Sequence, residues 1–345
     1  MGKRLRLGIV GLVHDHVWSL LAQFKALEQV VIVSAADVNL PLLEAARSKF
    51  GIRRLYRNFL DMIHKEDLDA VLICTENSRH AEVVEIVAER GIHAIMEKPM
   101  SANLEQADRI VRATRRYGVK VMVNYPTTWN PAIQYAYHIV REGGIGRIFH
   151  IRFRAAHAGP KEIGCSPYFY RWLYDKELNG GGAFMDYCCY GVNIALWFIG
   201  YKPRSVIATM GTFARTYLTV DDNAILIMEY GTCLGVAEAS WAQIGQYPMR
   251  GLTVNGTDGT IFVDQDSTLK LFHIREKGNY RDIESKILTP PPPPKGRRSG
   301  PEYFTMCVQE DLPIEPPLSA EFNRDVQEVL EAGIKSAVEG RRIYL

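Results

Sequence analysis

What this chain of 345 residues lacks narrows its function before any motif is considered. It lacks a field of one sign. Lys and Arg number 41 against 39 Asp and Glu, a net charge of +2, so neither nucleic acid nor an anionic membrane meets a strong counter-charge. Its basic pairs, Arg53-Arg54, Arg115-Arg116 and Arg297-Arg298, are short and scattered and read as solvated faces. No apolar run is expected to reach the ~20 residues that cross a bilayer. The opening MGKRLRLGIVGLV is basic and then apolar, but Gly8 and Gly11 interrupt it and no small-residue cleavage site follows, so it reads as a first strand. Six cysteines (Cys74, Cys165, Cys188, Cys189, Cys233, Cys307) lack paired spacing, which points to reduced thiols in a cytoplasmic protein. Most of a dinucleotide fingerprint is missing too. After Gly11 the chain reads L-V-H-D-H, with Val13 where G-x-G-x-x-G needs close backbone approach and His16 where helix and strand must pack.

What is present is organised in two halves. Hydrophobic content of 47% and charged content of 23% suit a soluble globular chain, long enough for two cores. Short apolar runs at Leu5 to Val10, Val30 to Ala36, Ala70 to Cys74 and Ile92 to Glu97 alternate with stretches of helical spacing, such as Val17, Leu20, Leu21, Phe24 and Leu27. Strands alternating with helices predict a parallel, doubly wound sheet over residues 1–124. Beyond Gly146 strands follow one another at hairpin spacing, from Ile148 to His273, with Tyr230-Gly231 and Asp258-Gly259 at turns. Residues 125–345 are therefore expected to form an α/β domain with a large, open, mostly antiparallel sheet. Pro290 to Pro294 is expected to be an extended surface loop. A last helix, with Phe322, Val326, Leu330, Ile334 and Val338 on one face, is expected to dock back on the body.

Three stretches carry chemistry. The run IHAIMEKPMS ends an apolar strand in Glu97-Lys98-Pro99, and Pro99 biases Lys98 toward extended backbone at the strand edge where ligands of open α/β sheets bind. Alone, the tripeptide reads equally as a solvated charged pair. Asp37 ends the second strand, where an acid accepts from ribose hydroxyls and repels a 2′-phosphate, which favours NAD over NADP; the other reading is a helix N-cap. In GGGAFMDYCCYGVNIALWFIG, Asp186, Tyr190, Asn193 and Trp197 fall along one helical face within an apolar, buried helix. His14 and His16 offer donors to a phosphate, half of a metal site with Asp15, or polar residues around a helix start.

Together these stretches resemble the Gfo/Idh/MocA family of nicotinamide-dependent oxidoreductases. Glu97-Lys98-Pro99 matches its E-K-P, with Thr75, Asn77 and His80 before it. Gly180, Gly181, Gly182, Asp186 and Tyr190 match G-G-G-x-x-x-D-x-x-x-[HY], and Asn124, Trp172 and Ala239-Ser240-Trp241 are further echoes. Most members carry His at Tyr190 and often Asp at Asn193; the tyrosine form resembles the glucose-fructose oxidoreductase and dihydrodiol dehydrogenase branch. The resemblance implies NAD (NADP less so) held by Gly11, Val13, His14, Asp37, Thr75, Asn77, His80, Glu97, Lys98, Asn124 and Trp172. Lys98, Tyr190 and Asp186 would be catalytic, and Asn124, Arg154, His157 and Asn193 would hold a sugar, cyclitol, sugar acid or related diol. It also implies a homodimer or homotetramer, and no resident metal, nucleic acid or membrane partner is expected. Removing the hydroxyl proton with a tyrosine of pKa near ~10 at neutrality needs about 4 kcal/mol. One ammonium at ~4 Å supplies about that much at an effective dielectric of ~20, which gives Lys98 a role. The competing readings are a non-catalytic sensor or partner subunit of the same fold, and a metal-dependent lyase or hydrolase using His14 and His16.

Overall fold

Strands buried on both faces need helices on either side, and the amino-terminal third of the chain supplies both in alternation. In the computed structural model, which describes residues 4–245, 250–264 and 266–345, the order is β1 (Leu5–Val10), α1 (Val17–Lys25), β2 (Val30–Ala36), α2 (Leu40–Phe50), β3 (Arg54–Tyr56), α3 (Phe59–Lys65), β4 (Ala70–Ile73), α4 (His80–Glu89), β5 (His93–Glu97), α5 (Leu104–Tyr117) and β6 (Val121–Asn124). The strands form one parallel sheet in the order β3-β2-β1-β4-β5-β6. The order reverses between β1 and β4, and that switch point opens the crevice at the carboxyl ends of the strands. α1 buries Val17, Leu20, Leu21 and Phe24 as its spacing predicts. α5 starts on Asn103, whose side chain accepts from Gln106 N, and stops at Gly118 in the left-handed region. β3 and α3 carried no legible periodicity: a strand of 3 residues and a helix of 7 are too short to show one.

The second sheet has nine strands in the order β14-β13-β12-β11-β7-β10-β9-β8-β15. Their ranges are β7 Ile148–Ala156, β8 Ser205–Gly211, β9 Asn223–Glu229, β10 Leu234–Ser240, β11 Arg250–Gly256, β12 Gly259–Asp264, β13 Leu269–Ile274, β14 Ile283–Leu288 and β15 Ile343–Tyr344. All neighbours pair antiparallel except β10 with β7, which run parallel. One face carries the helix Cys189–Ile199; among the described residues no helix covers the other, so β9 alternates buried Ala224, Leu226 and Met228 with exposed Ile225 and Ile227.

The chain divides into two compact units. The first comprises residues 1–125, 165–180 and 294–324; the second comprises 126–164, 181–293 and 325–345. Two expectations need correction. The stretch Lys176–Ile199, 24 residues, is long and apolar enough to pass for a membrane span, although 89% of its most apolar window is buried in protein. The last helix, Ala320–Glu339, does not bury the stripe chosen from its sequence: Val338 is 74% exposed, while Asn323, Gln327, Gly333 and Ser336 lie inward with Val326 and Leu330. A strict spacing of four advances about 40° per step around a helix, so five such residues wander off one face.

Candidate active site

In the first unit, the turn after β1 is built on Gly11. Its φ is +81°, and a Cβ there would lie 2.6 Å from Thr75 Cγ2 and 2.7 Å from Thr75 N, so only glycine lets β1 and β4 open side by side. Leu12 N donates to Asp37 Oδ2 at 2.6 Å, and Asn39 N and Nδ2 donate to Asp37 Oδ1 at 2.7 and 2.8 Å. Asn39, not Asp37, occupies the N-cap of α2. Asp37, Gly11, Val13 and Thr75 line one cleft of about 390 Å³ together with Arg57 and Arg79.

At the tip of β5, Glu97 and Lys98 are 0% and 3% exposed, which excludes a solvated charged pair. Glu97 Oε2 lies 3.2 Å from His16 Nδ1 and 3.8 Å from His14 Nε2, and it accepts from Lys98 N at 3.3 Å; Asn124 Nδ2 reaches Oε1 at 3.5 Å. His14 is buried against Phe169, with ring centroids 4.4 Å apart, and lies 5.8 Å from the Trp172 ring. Burial, reinforced by the charges of His16, Lys98 and His80, holds its imidazole well below the ordinary histidine range, so it stays neutral. Asn77 and His80 are buried and do not line the cleft, nor do His14, Glu97, Lys98, Asn124 and Trp172. Asn77 Nδ2 donates to Asn179 Oδ1 at 2.8 Å, and His80 Nδ1 lies 3.2 Å from Met100 O, just after the Glu97-Lys98-Pro99 stretch.

In the second unit, the glycine run leads into a π-helical turn, Phe184–Cys188, and then the helix that carries Tyr190 and Asn193. π turns occur mostly as single interruptions of helices, frequently at functional sites. Asp221, which the sequence reading missed, accepts from Gly182 N at 2.8 Å and Phe184 N at 2.6 Å and thereby fixes the glycines. Asp186 is buried and its Oδ2 accepts from Trp241 Nε1 at 3.1 Å. Tyr187 stands edge-on to His157 at 5.0 Å and 6.0 Å from the ring of Tyr190, itself 4% exposed. Asp186, Tyr187, Tyr190, His157 and Trp241 are thus gathered. Arg154 is not: it follows Phe153, which faces Tyr190, so it points to the opposite side of the sheet, where it pairs with Glu238 at 3.0 Å. It is withdrawn as a substrate contact.

A model of the oxidoreductase family with NAD-binding Rossmann fold matches residues 5–125, and a GFO/IDH/MocA C-terminal domain model matches residues 133–262. The chain belongs to the Gfo/Idh/MocA oxidoreductase family. It is similar to D-apiose dehydrogenase of Paraburkholderia graminis, 28% identical over 96% of this chain and 86% of that protein. It is also similar to myo-inositol 2-dehydrogenase of Thermotoga maritima, 23% identical over 75% of each. Among solved structures, levoglucosan dehydrogenase in complex with NADH and levoglucosan superposes with a TM-score of 0.84 over 99% of both chains at 22% identity, a likeness of fold. The Gfo/Idh/MocA cofactor also fits what the first unit offers: Asp37 Oδ2 keeps a lone pair beside the cleft, and the buried Trp172 Nε1 is a donor with no acceptor in the described chain.

Proposed function

We propose that the protein is an NAD-dependent dehydrogenase acting on the CH–OH or carbonyl group of a sugar, cyclitol, sugar acid or related diol. The observation that carries this reading is Asp37: a nearly buried carboxylate at the end of β2, braced by Leu12 N and Asn39 and lining the cleft beside Gly11. An acid so placed accepts from the adenosine ribose and opposes a 2′-phosphate, which favours NAD over NADP. The nicotinamide, when bound, supplies the hydride acceptor or donor. Tyr190 takes the hydroxyl proton, Lys98 contributes the positive charge that makes a phenolate accessible, and Asp186, held by Trp241, orients a hydroxyl. The substrate class draws support from the dehydrogenases of apiose and inositol among its relatives.

In this reading the first unit holds the cofactor through Gly11, Val13, His14, Thr75, Glu97, Lys98, Asn124 and Trp172, and the second holds substrate, with His157 and Asn193 as polar contacts. The bare sheet face presents Ile207, Ile225, Ile227 and Leu234, an apolar surface suited to a homodimer or homotetramer. None of the six cysteines forms a disulfide, in keeping with a cytoplasmic setting.

The test is titration of charcoal-stripped protein with NADH and NADPH by nicotinamide fluorescence, followed by a sugar and polyol screen with Lys98→Ala and Tyr190→Phe as controls. Micromolar NADH binding and turnover lost in Tyr190→Phe support the dehydrogenase. A sensor of the same fold is the second reading, favoured by the amides of the Gly11–His16 turn, most of which are already hydrogen-bonded within the protein. NADH binding without turnover of any substrate would favour it.

A further inference from the structure

A phosphate cradle at a first βα turn normally consists of free backbone N–H groups. Here most of them are committed. Leu12 N donates to Asp37, His14 N to Cys74 O at 3.3 Å, His16 N to His14 Nδ1 at 3.2 Å, and Val17 N to His14 O at 2.9 Å. A dinucleotide at this turn, as the proposed function requires, meets few uncommitted N–H groups, so a side-chain donor gains weight. His16 stands at the N-cap of α1 with a side chain 42% exposed, its Nδ1 turned to the buried Glu97. Among the described residues its Nε2 makes no hydrogen bond. The carboxylate of the turn, Asp15, which would repel an anion, accepts instead from Ser166 N at 2.7 Å.

We propose that the His16 imidazolium, oriented by Glu97, is the ligand for the cofactor's diphosphate in this chain, and that binding the dinucleotide takes up a proton at His16. The argument is one of tautomers. With Nδ1–H given to Glu97, a neutral ring presents the Nε2 lone pair outward, toward which a phosphate oxygen is repelled; only the protonated ring donates from both nitrogens. The groups facing it are Glu97 from β5, His14 from the turn beside its neighbour Asp15, and the uncharged Phe169.

His14, His16 and Glu97 also bring ligand atoms within 4.8 Å of one another, close enough to suggest a metal. The tautomer of His14 argues otherwise. Metal-bound histidine usually donates from its other nitrogen, whereas His14 Nδ1 accepts from His16 N, which leaves the hydrogen on the Nε2 that would have to ligate.

The experiment measures NADH affinity by fluorescence at constant ionic strength from about pH 6 to about pH 9, with proton uptake read by calorimetry in buffers of different ionisation enthalpy. ADP-ribose and adenosine serve as probes with and without the diphosphate. Affinity of the wild type for NADH and ADP-ribose is expected to fall roughly tenfold across this range, as befits the loss of one charge-assisted hydrogen bond, with adenosine unaffected. His16→Asn, at a half-exposed position, should flatten the profile and abolish proton uptake, and Glu97→Gln should reduce both. An unchanged profile in His16→Asn overturns the inference while leaving NAD binding intact. Stoichiometric zinc uptake lost in His16→Asn overturns it in favour of a metal centre, and absence of NADH binding at every pH overturns it together with the proposed function.

Discussion

Replacing Asp37 by serine should invert the nicotinamide preference. The carboxylate lines the cleft where the adenosine ribose is expected, so a 2′-phosphate added to that ribose would sit roughly 5 Å from it. At an effective dielectric of ~20 the repulsion between two unit charges at that separation is about 3 kcal/mol, more than a hundredfold in affinity. Removing the charge relieves this term for NADPH, and Arg57 and Arg79, which line the same cleft, are then unopposed in attracting the phosphate. NADH should weaken by about tenfold, the worth of one hydrogen bond to a charged acceptor. The structure also assigns a cost in stability. Leu12 N, now bonded to Asp37 Oδ2 at 2.6 Å, loses its acceptor in a buried setting, which costs about 1–3 kcal/mol. Fluorescence titration of both cofactors at low, matched salt reads the first effect and urea denaturation the second. If the variant folds and its NADH-to-NADPH affinity ratio stays within about threefold of wild type, then Asp37 does not face the ribose and the reasoning is refuted.

Three further outcomes follow from the geometry. Trp241→Phe removes the donor to Asp186 at 3.1 Å and should cost roughly 1.5–3 kcal/mol of stability and lower kcat while leaving NADH affinity unchanged; equal loss of cofactor binding would show that Asp186 is not acting on substrate. Gly11→Ala meets both a left-handed backbone and Thr75 at 2.6 Å and should destabilise by about 2–4 kcal/mol. Gly51→Ala, at φ +75° with open space, should cost only about 1 kcal/mol, and equal melting shifts would contradict the crowding. His14, its proton affinity depressed by burial, is neutral when folded and protonated when unfolded at acid pH. Stability should therefore fall as pH drops below about 6.5, by about 1.4 kcal/mol per pH unit, with His80 adding in the same direction. Urea titrations at about pH 7 and pH 5.5 that show no such slope in wild type, or the same slope in His14→Asn, would count against this.

The parallel sheet was legible because its strands are continuous apolar runs and its helices long enough to repeat, and the Asp186 and Tyr190 helix because an unusually apolar segment carried polar groups at helical intervals. Other parts depended on contacts between residues far apart in sequence. Nothing in the sequence around Asp221 marks it as the acceptor for Gly182 and Phe184, thirty-odd positions earlier. The π turn was invisible because helical spacing counts residues, not hydrogen bonds. Arg154 was chosen for its charge, when its place next to Phe153 in a strand decided its face. Glu97 was singled out as an acid presented at a strand tip; two histidines of the first turn, His14 and His16, lie against it instead.

The first unit is threaded from three separate pieces of chain. Phe169, which covers His14, arrives with residues 165–180, and Leu318 O, which accepts from Val123 N next to the edge of β6, arrives with residues 294–324. A gene fragment ending near Tyr125 would therefore encode the parallel sheet without the side chains that roof its turn or the strand-like partner that closes its margin. For protein engineering, this nucleotide module is not a cassette to be cut out and fused elsewhere. Grafting it would mean carrying the later segments along, or replacing the exposed apolar surface they leave behind.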